Sequence, residues 1–414
     1  MKNEVSESKS SRLHELTLEP SNTTSLEPLK EGWRWVRLAQ VCEKFVNGGT
    51  PDTNVPTYWD GTIPWITGAD ITSFWVSGGR KFITEEGLKN SATHLVRKNT
   101  VLVVTRTGVG KVGIATNDLC FSQDITGIIC GKETYSEYLA RFILSQENNL
   151  IRIQRGATIK GLTRTDIENL EIPLPTMPEQ KRIAAKLQEL MQEVERARTA
   201  CEQQLRASKA LPSAYLREVF ESEAAKEWER KRLGEVCEII MGQSPPGSTY
   251  NKENVGLPFF QGKIDFGSIS PIQSTWCSEP IKIARPDDVL ISVRAPVGPT
   301  NMANQKCCIG RGLAAIRSKN NIEPWFLLYL FRFVERNLSE TYGGRGSTFG
   351  AMNKEHLQDL DMLVPPLPEQ KRIAAELKEK MAEVEKLRRS IEKQLEAINA
   401  LPQAVLRKAF RGEL

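Results

Sequence analysis

Three glycines, Gly108, Gly110 and Gly113, stand at the spacing G-x-G-x-x-G directly after the apolar run Val101–Val104. That spacing can bring backbone N–H groups up to a pyrophosphate at a helix N-terminus. The residues that follow Lys111, KVGIATNDLC, lack the apolar period of a helix, and no second strand ending in an acid closes a βαβ unit. The expectation is a tight turn that lets backbone approach a ligand. Other chemistries fail sooner. The chain contains no G-x-S-x-G, no G-x-x-x-x-G-K-[ST], no H-E-x-x-H and no Asn/Asp-Pro-Pro-aromatic sequence. Its eight cysteines include the adjacent Cys307 and Cys308 but no C-x-x-C, and there are only three histidines, which argues against zinc. Asp287-Asp288, just before a strand, reads as a solvated turn in preference to a metal site.

Binding chemistry remains. Arg106 and Arg294 each follow a strand and recur in matching contexts, so each is a candidate for a phosphate or a guanine, against a structural salt bridge. Thr105, Thr107 and Lys111 flank Arg106. Arg155, Thr158 and Lys160, with Arg345 and Thr348, lie on Gly-rich loops that suit phosphate contact or the bracing of a domain. Arg80, Lys81 and Lys263 are further phosphate candidates against a solvated-charge alternative. Trp59, Trp65 and Trp75 are expected in cores rather than stacked on bases.

These candidates sit on a chain that repeats itself. Residues 174–220 and 364–410 match at 27 of 47 positions without a gap, about 190 residues apart. Solenoid units run only ~20–50 residues, so this is a duplicated domain with its helix. The match extends outward. WVRLAQVCE at 35–43 pairs with WERKRLGEVCE at 228–238, and GGTP at 48–51 with GQSPP at 242–246. Ile63-Pro64-Trp65-Ile66 pairs with Leu257-Pro258-Phe259-Phe260. Arg106, Val109 and Gly110 pair with Arg294, Val297 and Gly298, and Arg155-Gly156-Ala157-Thr158 with Arg345-Gly346-Ser347-Thr348. Framework positions agree while loops diverge, as expected of two domains that share a fold and bind different things.

The repeated blocks read as long helices. Pro178 and Pro368 suit a first helical turn, with Glu179 and Glu369 near its positive end. Leu187, Val194, Cys201 and Ser208 are spaced by sevens, as are Leu377, Val384, Ile391 and Ile398. A second seam runs through Ile183, Leu190 and Ala197, and through Ile373, Met381, Leu387 and Leu395. This is coiled-coil periodicity. From Pro178 to Ala210 a helix would span ~50 Å, and Pro212 and Pro402 are expected to kink or end each one. An antiparallel pairing is expected over a parallel one, with Ile183 close to Ile398. Shorter helices are expected around 136–148 and 324–337, among short β-branched strands.

The expected architecture is α+β. A flexible leader occupies 1–30, a first domain 31–173, a first spacer helix 174–226, a second domain 227–363 and a second spacer helix 364–414. The formal net charge is +5, from 56 Lys and Arg against 51 Asp and Glu. Residues 31–173 carry 16 basic and 15 acidic side chains, so a nucleic-acid surface must come from local arrangement. No run approaches the ~18 apolar residues of a membrane span, and reduced, core-packed cysteines fit a cytoplasmic protein.

Together the doubled PEQKRIAA helix starts, the RGAT and RGST loops with their proline-rich exits, and the strand-Arg-x-x-Val-Gly segments resemble the specificity subunit of type I restriction–modification systems. The resemblance covers nearly everything from Trp33 to Leu414. It implies two target-recognition domains in a pseudo-twofold duplication, held apart by two long helices in an antiparallel coiled coil. It implies sequence-specific binding of double-stranded DNA, each domain reading half of a bipartite, asymmetric site, in a complex with two modification subunits and with restriction subunits. No catalysis or cofactor is implied for this chain. S-adenosylmethionine, ATP and Mg²⁺ belong to the partners, which methylate adenine and cut DNA. Readers on one face of B-DNA are displaced by about one turn, ~34–36 Å, or a multiple of it. The competing expectations are a two-headed coiled-coil adaptor for proteins and a self-sufficient nuclease or methyltransferase.

Overall fold

A computed structural model of the chain describes residues 29–156, 160–319, 321–344 and 350–414. All but the last two residues of the expected leader lie outside that set. Two compact units form, one from Met1–Ala197 with Ile398–Leu414 and the other from Arg198–Ala397.

In the first unit, Val101–Val104 pairs antiparallel with both Val112–Ala115 and Ile125–Cys130. The sheet runs Cys42–Asn47, Ile125–Cys130, Val101–Val104, Val112–Ala115, Trp75–Val76. All four valine-leucine residues of the central strand are buried, because both faces are covered. Val101 and Val103 join a core with Tyr138, Leu139 and Ile143 of the helix Ser136–Ser145. Leu102 and Val104 join another with Ile66 and Phe121 of a smaller sheet. The glycine-rich stretch after the central strand leads into a β-hairpin partner and not into a helix, as its lack of helical period requires.

The second unit repeats this plan. Its four-stranded sheet runs Cys237–Met241, Leu313–Ser318, Val289–Ser292, Thr300–Met302. Val289 and Ile291 pack with Phe326 and Leu327 of the helix Pro324–Tyr342, while Leu290 faces Phe260 and Ile309. In each unit a short antiparallel pair joins the chain's entry and exit: Arg34–Arg37 with Glu171–Leu174, and Glu229–Arg232 with Asp361–Val364.

The long helices are Met177–Phe220 and Leu367–Phe410, 44 residues each, or about 66 Å. Both run through the prolines that were expected to interrupt them. A mid-helix proline loses one backbone hydrogen bond and crowds the preceding turn. Burial beyond it offsets that cost. Leu216 and Phe220 enter the second unit's core, and Leu406, Ala409 and Phe410 enter the first unit's. The helices are antiparallel. In the second unit the Cys201 thiol reaches the Ile391 carbonyl at 3.5 Å, and Glu218 pairs with Lys380 at 3.7 Å. In the first, the Arg182 guanidinium donates to the Leu414 carbonyl at 2.7 Å, so Ile183 lies with Leu406–Phe410 and not with Ile398. The seam of sevens is real: Leu187, Cys201, Ser208, Leu377, Val384 and Ile391 are buried. The second seam is weaker than its spacing suggests, since Ala197 is exposed and Leu387 is 46% exposed.

One residue of the repeated block has a role its spacing does not disclose. Gln180 is fully buried. Its amide donates to the carbonyls of Glu133 and Pro175 and accepts from the Tyr135 backbone. Gln370 does the same with Asn321, Pro365 and Glu323. Each glutamine ties the long helix's start to the chain entering the domain's own helix.

Candidate nucleic-acid interface

At one end of the first unit's sheet four segments converge. The Gly49 amide donates to the Phe121 carbonyl at 2.9 Å, and the Thr105 amide to the Asp124 carbonyl at 2.8 Å. The Leu162 amide donates to the Thr105 carbonyl at 2.8 Å, and Arg155 and Gly161 exchange backbone bonds at 3.0 and 2.9 Å. Gly161 is required there, because a Cβ would stand 2.9 Å from Arg106 Cγ and 3.0 Å from the Thr105 carbonyl. The loops that carry Arg106 and Arg155 are thus one surface.

Val109 is buried and Gly110 turns with φ +99°, where a Cβ would meet Glu147. These two anchor the hairpin and leave Arg106 exposed, with no described carboxylate paired to it. Thr107, at φ +47°, is exposed, a rare geometry for a β-branched residue. Lys111 is exposed and folds over Gly108. Thr105 is only 5% exposed and its hydroxyl donates to the Asp124 carbonyl at 3.2 Å, so it holds the loop and offers nothing outward.

Arg155 is exposed yet paired with Asp166 at 3.4 Å. Burial pushes the Asp166 carboxyl up, but the Thr163 hydroxyl and amide and the Arg155 charge outweigh it and hold it below the usual range. Lys160 is exposed. Thr158, Arg345 and Thr348 lie outside the described residues. Arg80 pairs with Asp70 at 3.1 Å. There too burial raises the carboxyl, and the Thr67 amide and hydroxyl, then Arg80, bring it below the ordinary value. Lys81 stands 5.2 Å over the Trp59 ring. Trp65 is core, with its indole N–H on the Gly49 carbonyl at 2.9 Å, whereas Trp75 is 40% exposed on an outer strand.

The second unit closes its sheet in the same way. The Gln243 amide donates to the Ile309 carbonyl at 3.0 Å, the Val293 amide to the Gly312 carbonyl at 2.9 Å, and the Met352 amide to the Val293 carbonyl at 2.9 Å. Val297 is buried, Gly298 turns with φ +109°, and Arg294 is exposed without a described carboxylate partner. The segment 261–263 runs against Gly312, where a Cβ would stand 2.4 Å from the Gln261 carbonyl. Lys263 there is exposed. Its charge and that of Arg332 partly offset the burial that raises the Glu335 carboxyl.

Two exposed residues at these ends are absent from the expected set, Gln123 and Arg311. They occupy matching places, two residues after Phe121 and Ile309, and aligning Cys120-Phe121 with Cys308-Ile309 could have found them. The acidic pair is not a solvated turn. Asp288 is 2% exposed and takes a bidentate bond from Arg317, at 3.0 and 2.8 Å. Among the described residues no cluster of His, Cys, Asp or Glu could hold a metal, and no helix is long and apolar enough to cross a membrane. Burial pushes the Cys237 and Cys307 thiols up to about 12, which keeps them unreactive near neutral pH.

The family model described as the type I restriction modification DNA specificity domain matches twice, over residues 30–202 and 225–397. A Methanocaldococcus jannaschii chain provisionally assigned as the MjaX specificity subunit of a type I restriction enzyme is 37% identical over 259 residues. That alignment covers 59% of this chain and 60% of that one, so it spans about three fifths of the relative's length. The MjaIX specificity subunit of the same organism is 25% identical over 373 residues, 83% of this chain and 86% of that one. The solved HsdS subunit from Thermoanaerobacter tengcongensis is 37% identical with a TM-score of 0.68, over 94% of this chain and 99% of that one. A chain solved in work on the assembly and conformational transition of the type I R-M system is 37% identical with a TM-score of 0.80, over 94% and 100%.

Proposed function

The chain belongs to the type I restriction modification DNA specificity family, and from that premise we propose that each of its two domains reads one half of a bipartite, asymmetric site in double-stranded DNA. The observation that carries this reading is the pair of like-built loop ends, each with an exposed arginine, Arg106 or Arg294, that has no described carboxylate partner and stands just before the same anchored Val-Gly turn. A free guanidinium beside backbone amides suits a phosphate or a guanine edge. Lys111 and Lys160 add charge at the first end, and Lys263 at the second. The loops differ in sequence, so the two half-sites differ. The long antiparallel helices set the spacer between them and dock the partners, two modification subunits with restriction subunits joining the complex. In this proposal the chain itself is not catalytic. Adenine methylation with S-adenosylmethionine and cleavage with ATP and Mg²⁺ belong to those partners.

The test exchanges residues 31–173 for the equivalent domain of a relative and reads the methylated sequence of the assembled complex genome-wide. One half of the split motif should change while the other persists. If both halves changed, the domains would not read separately. Failure of the unaltered complex to show salt-dependent binding to duplex DNA would favour a protein-binding adaptor.

A further inference from the structure

Resting on the reading above, we infer that Gln123 and Arg311 read equivalent base positions of the two half-sites, Gln123 an adenine and Arg311 a guanine. Arg106 and Arg294 instead serve both domains alike as phosphate contacts.

The inference starts from equivalence of place. In the first unit the residue before Gln123's loop, Phe121, is pinned by the Gly49 amide at 2.9 Å, and the residue after Gln123, Asp124, by the Thr105 amide at 2.8 Å. In the second unit Ile309 is pinned by Gln243 at 3.0 Å and Gly312 by Val293 at 2.9 Å. The glycine ending the first strand of each sheet lets this loop pass at close range: a Cβ on Gly48 would stand 2.1 Å from the Ser122 carbonyl, and one on Gly242 2.1 Å from the Gly310 carbonyl. Gln123 and Arg311 therefore leave the scaffold from the same point, between the same two backbone clamps. Both are exposed while the residues preceding them pack inward. Such a side chain is held by its backbone and reaches solvent at its tip.

The chemistry of the tips then differs. The Thr50 hydroxyl donates to Gln123 Oε1 at 2.5 Å. That bond orients the amide and leaves its N–H₂ group and a second lone pair of Oε1 outward, the donor–acceptor pair that matches adenine N7 and N6 in the major groove. At the matching place the Ser244 hydroxyl accepts the Arg311 backbone N–H at 3.2 Å, and it cannot donate to the side chain as Thr50 does, because a guanidinium has no acceptor. The Arg311 guanidinium has no described carboxylate partner, and its charge is felt by the Tyr250 phenol, whose titration burial raises and Arg311 partly offsets. A guanidinium fork free of a carboxylate matches guanine O6 and N7. Arg106 and Arg294 are the same residue in both domains. A contact shared by two domains with different half-sites cannot distinguish them, which suits the uniform phosphate backbone.

The experiment uses the full chain assembled with its modification subunits, and methylation of duplex libraries randomised at each half-site. Arg311→Gln should cut the preference for guanine at one position of the second domain's half-site about ten- to a hundredfold, and leave the other half-site unchanged. Gln123→Arg should turn an adenine preference toward guanine at one position of the first. Arg106→Ala should weaken binding to all sequences alike and lower the slope of log affinity against log salt by about one. Melting temperatures should hold, since all three side chains are exposed. The inference is overturned if Arg311→Gln and Gln123→Arg keep every base preference while binding falls uniformly, or if Arg106→Ala alters a base preference. If the unaltered complex shows no split motif at all, the parent reading fails first, and the two failures are distinct.

Discussion

Phe410→Ala is the sharpest test of how this chain is wired. Phe410 ends the second long helix, about 270 residues after the helix Ser136–Ser145, yet it is 7% exposed within the first unit's core. Its ring meets Tyr138 at 5.1 Å and Phe142 at 5.3 Å, both edge-on. Removing a buried phenylalanine costs about 3–5 kcal/mol from transfer and cavity together, and the two edge-to-face pairs place this site toward the upper end. At ~1.4 kcal/mol per factor of ten, opening of the first unit becomes roughly a few hundred to a few thousand times more frequent. Against a typical total of about 5–15 kcal/mol, the unit remains folded but frays. Native-state hydrogen exchange read by mass spectrometry resolves the two units. Amides of 101–104 and 136–143 should exchange faster by that factor, while those of 289–292 keep their protection. Accelerated exchange at 289–292 with 136–143 unchanged would mean that the helix end packs on the other domain, and the antiparallel pairing would be refuted.

Three other outcomes are expected. Asp288→Asn strips the charge that Arg317 holds by two bonds. Because Arg317 keeps the exposed Glu238 at 3.1 Å, the second unit should lose about 3 kcal/mol, near the low end for a broken buried pair, in urea titrations followed by fluorescence; an unchanged midpoint would deny the pair any structural weight. Asp70 and Asp166 have folded-state carboxyls held below the ordinary value. The stability they contribute is therefore complete above the unfolded value of ~3.9 and is lost as pH falls through the lowered folded values. Exchange protection at 105–111 and 160–162 should hold from pH 8 to 5 and decline below about pH 4, less steeply in Asp70→Asn; decline already between pH 7 and 5 would contradict this. Finally, inserting four residues between Met191 and Val194 lengthens one helix by ~6 Å and puts a stutter in its seam. A folded variant should prefer a spacer longer by one or two base pairs, and unchanged preference would leave the helices as docking surfaces alone.

How much of this was legible beforehand depends on whether the information is local. The heptad seam, the tight turn after Val101–Val104 and the two domain helices each follow from a period or a turn residue within a few positions, and each appears in the structure. The missed features are the non-local ones. Pro212 and Pro402 looked like helix ends because a proline's cost is local, whereas the burial of Phe220 and Phe410 that offsets it comes from other parts of the fold. Asp288 looked solvated because Arg317 lies 29 residues on. Thr105 looked available because its bond to the Asp124 carbonyl closes between neighbouring strands at the end of the sheet.

The duplication supplies a criterion that a single domain would lack. Where the two copies carry the same residue and that residue is buried or bonded inward, scaffold duty is sufficient reason: Gln180 and Gln370 tie a helix start to its domain, and Val109 and Val297 anchor a turn. Where equivalent places carry different residues that point outward from identical backbone clamps, scaffold duty gives no reason for the difference, and a ligand that differs between the domains does. Gln123 and Arg311 satisfy that condition. Arg106 and Arg294 fall between the two cases, being identical, exposed and without a described carboxylate partner. Sameness argues against discrimination and exposure argues against packing, so under the proposed function what they contact is a feature common to both half-sites. On duplex DNA the feature common to every sequence is the phosphate backbone, whose contacts fix register and orientation while the bases are read elsewhere.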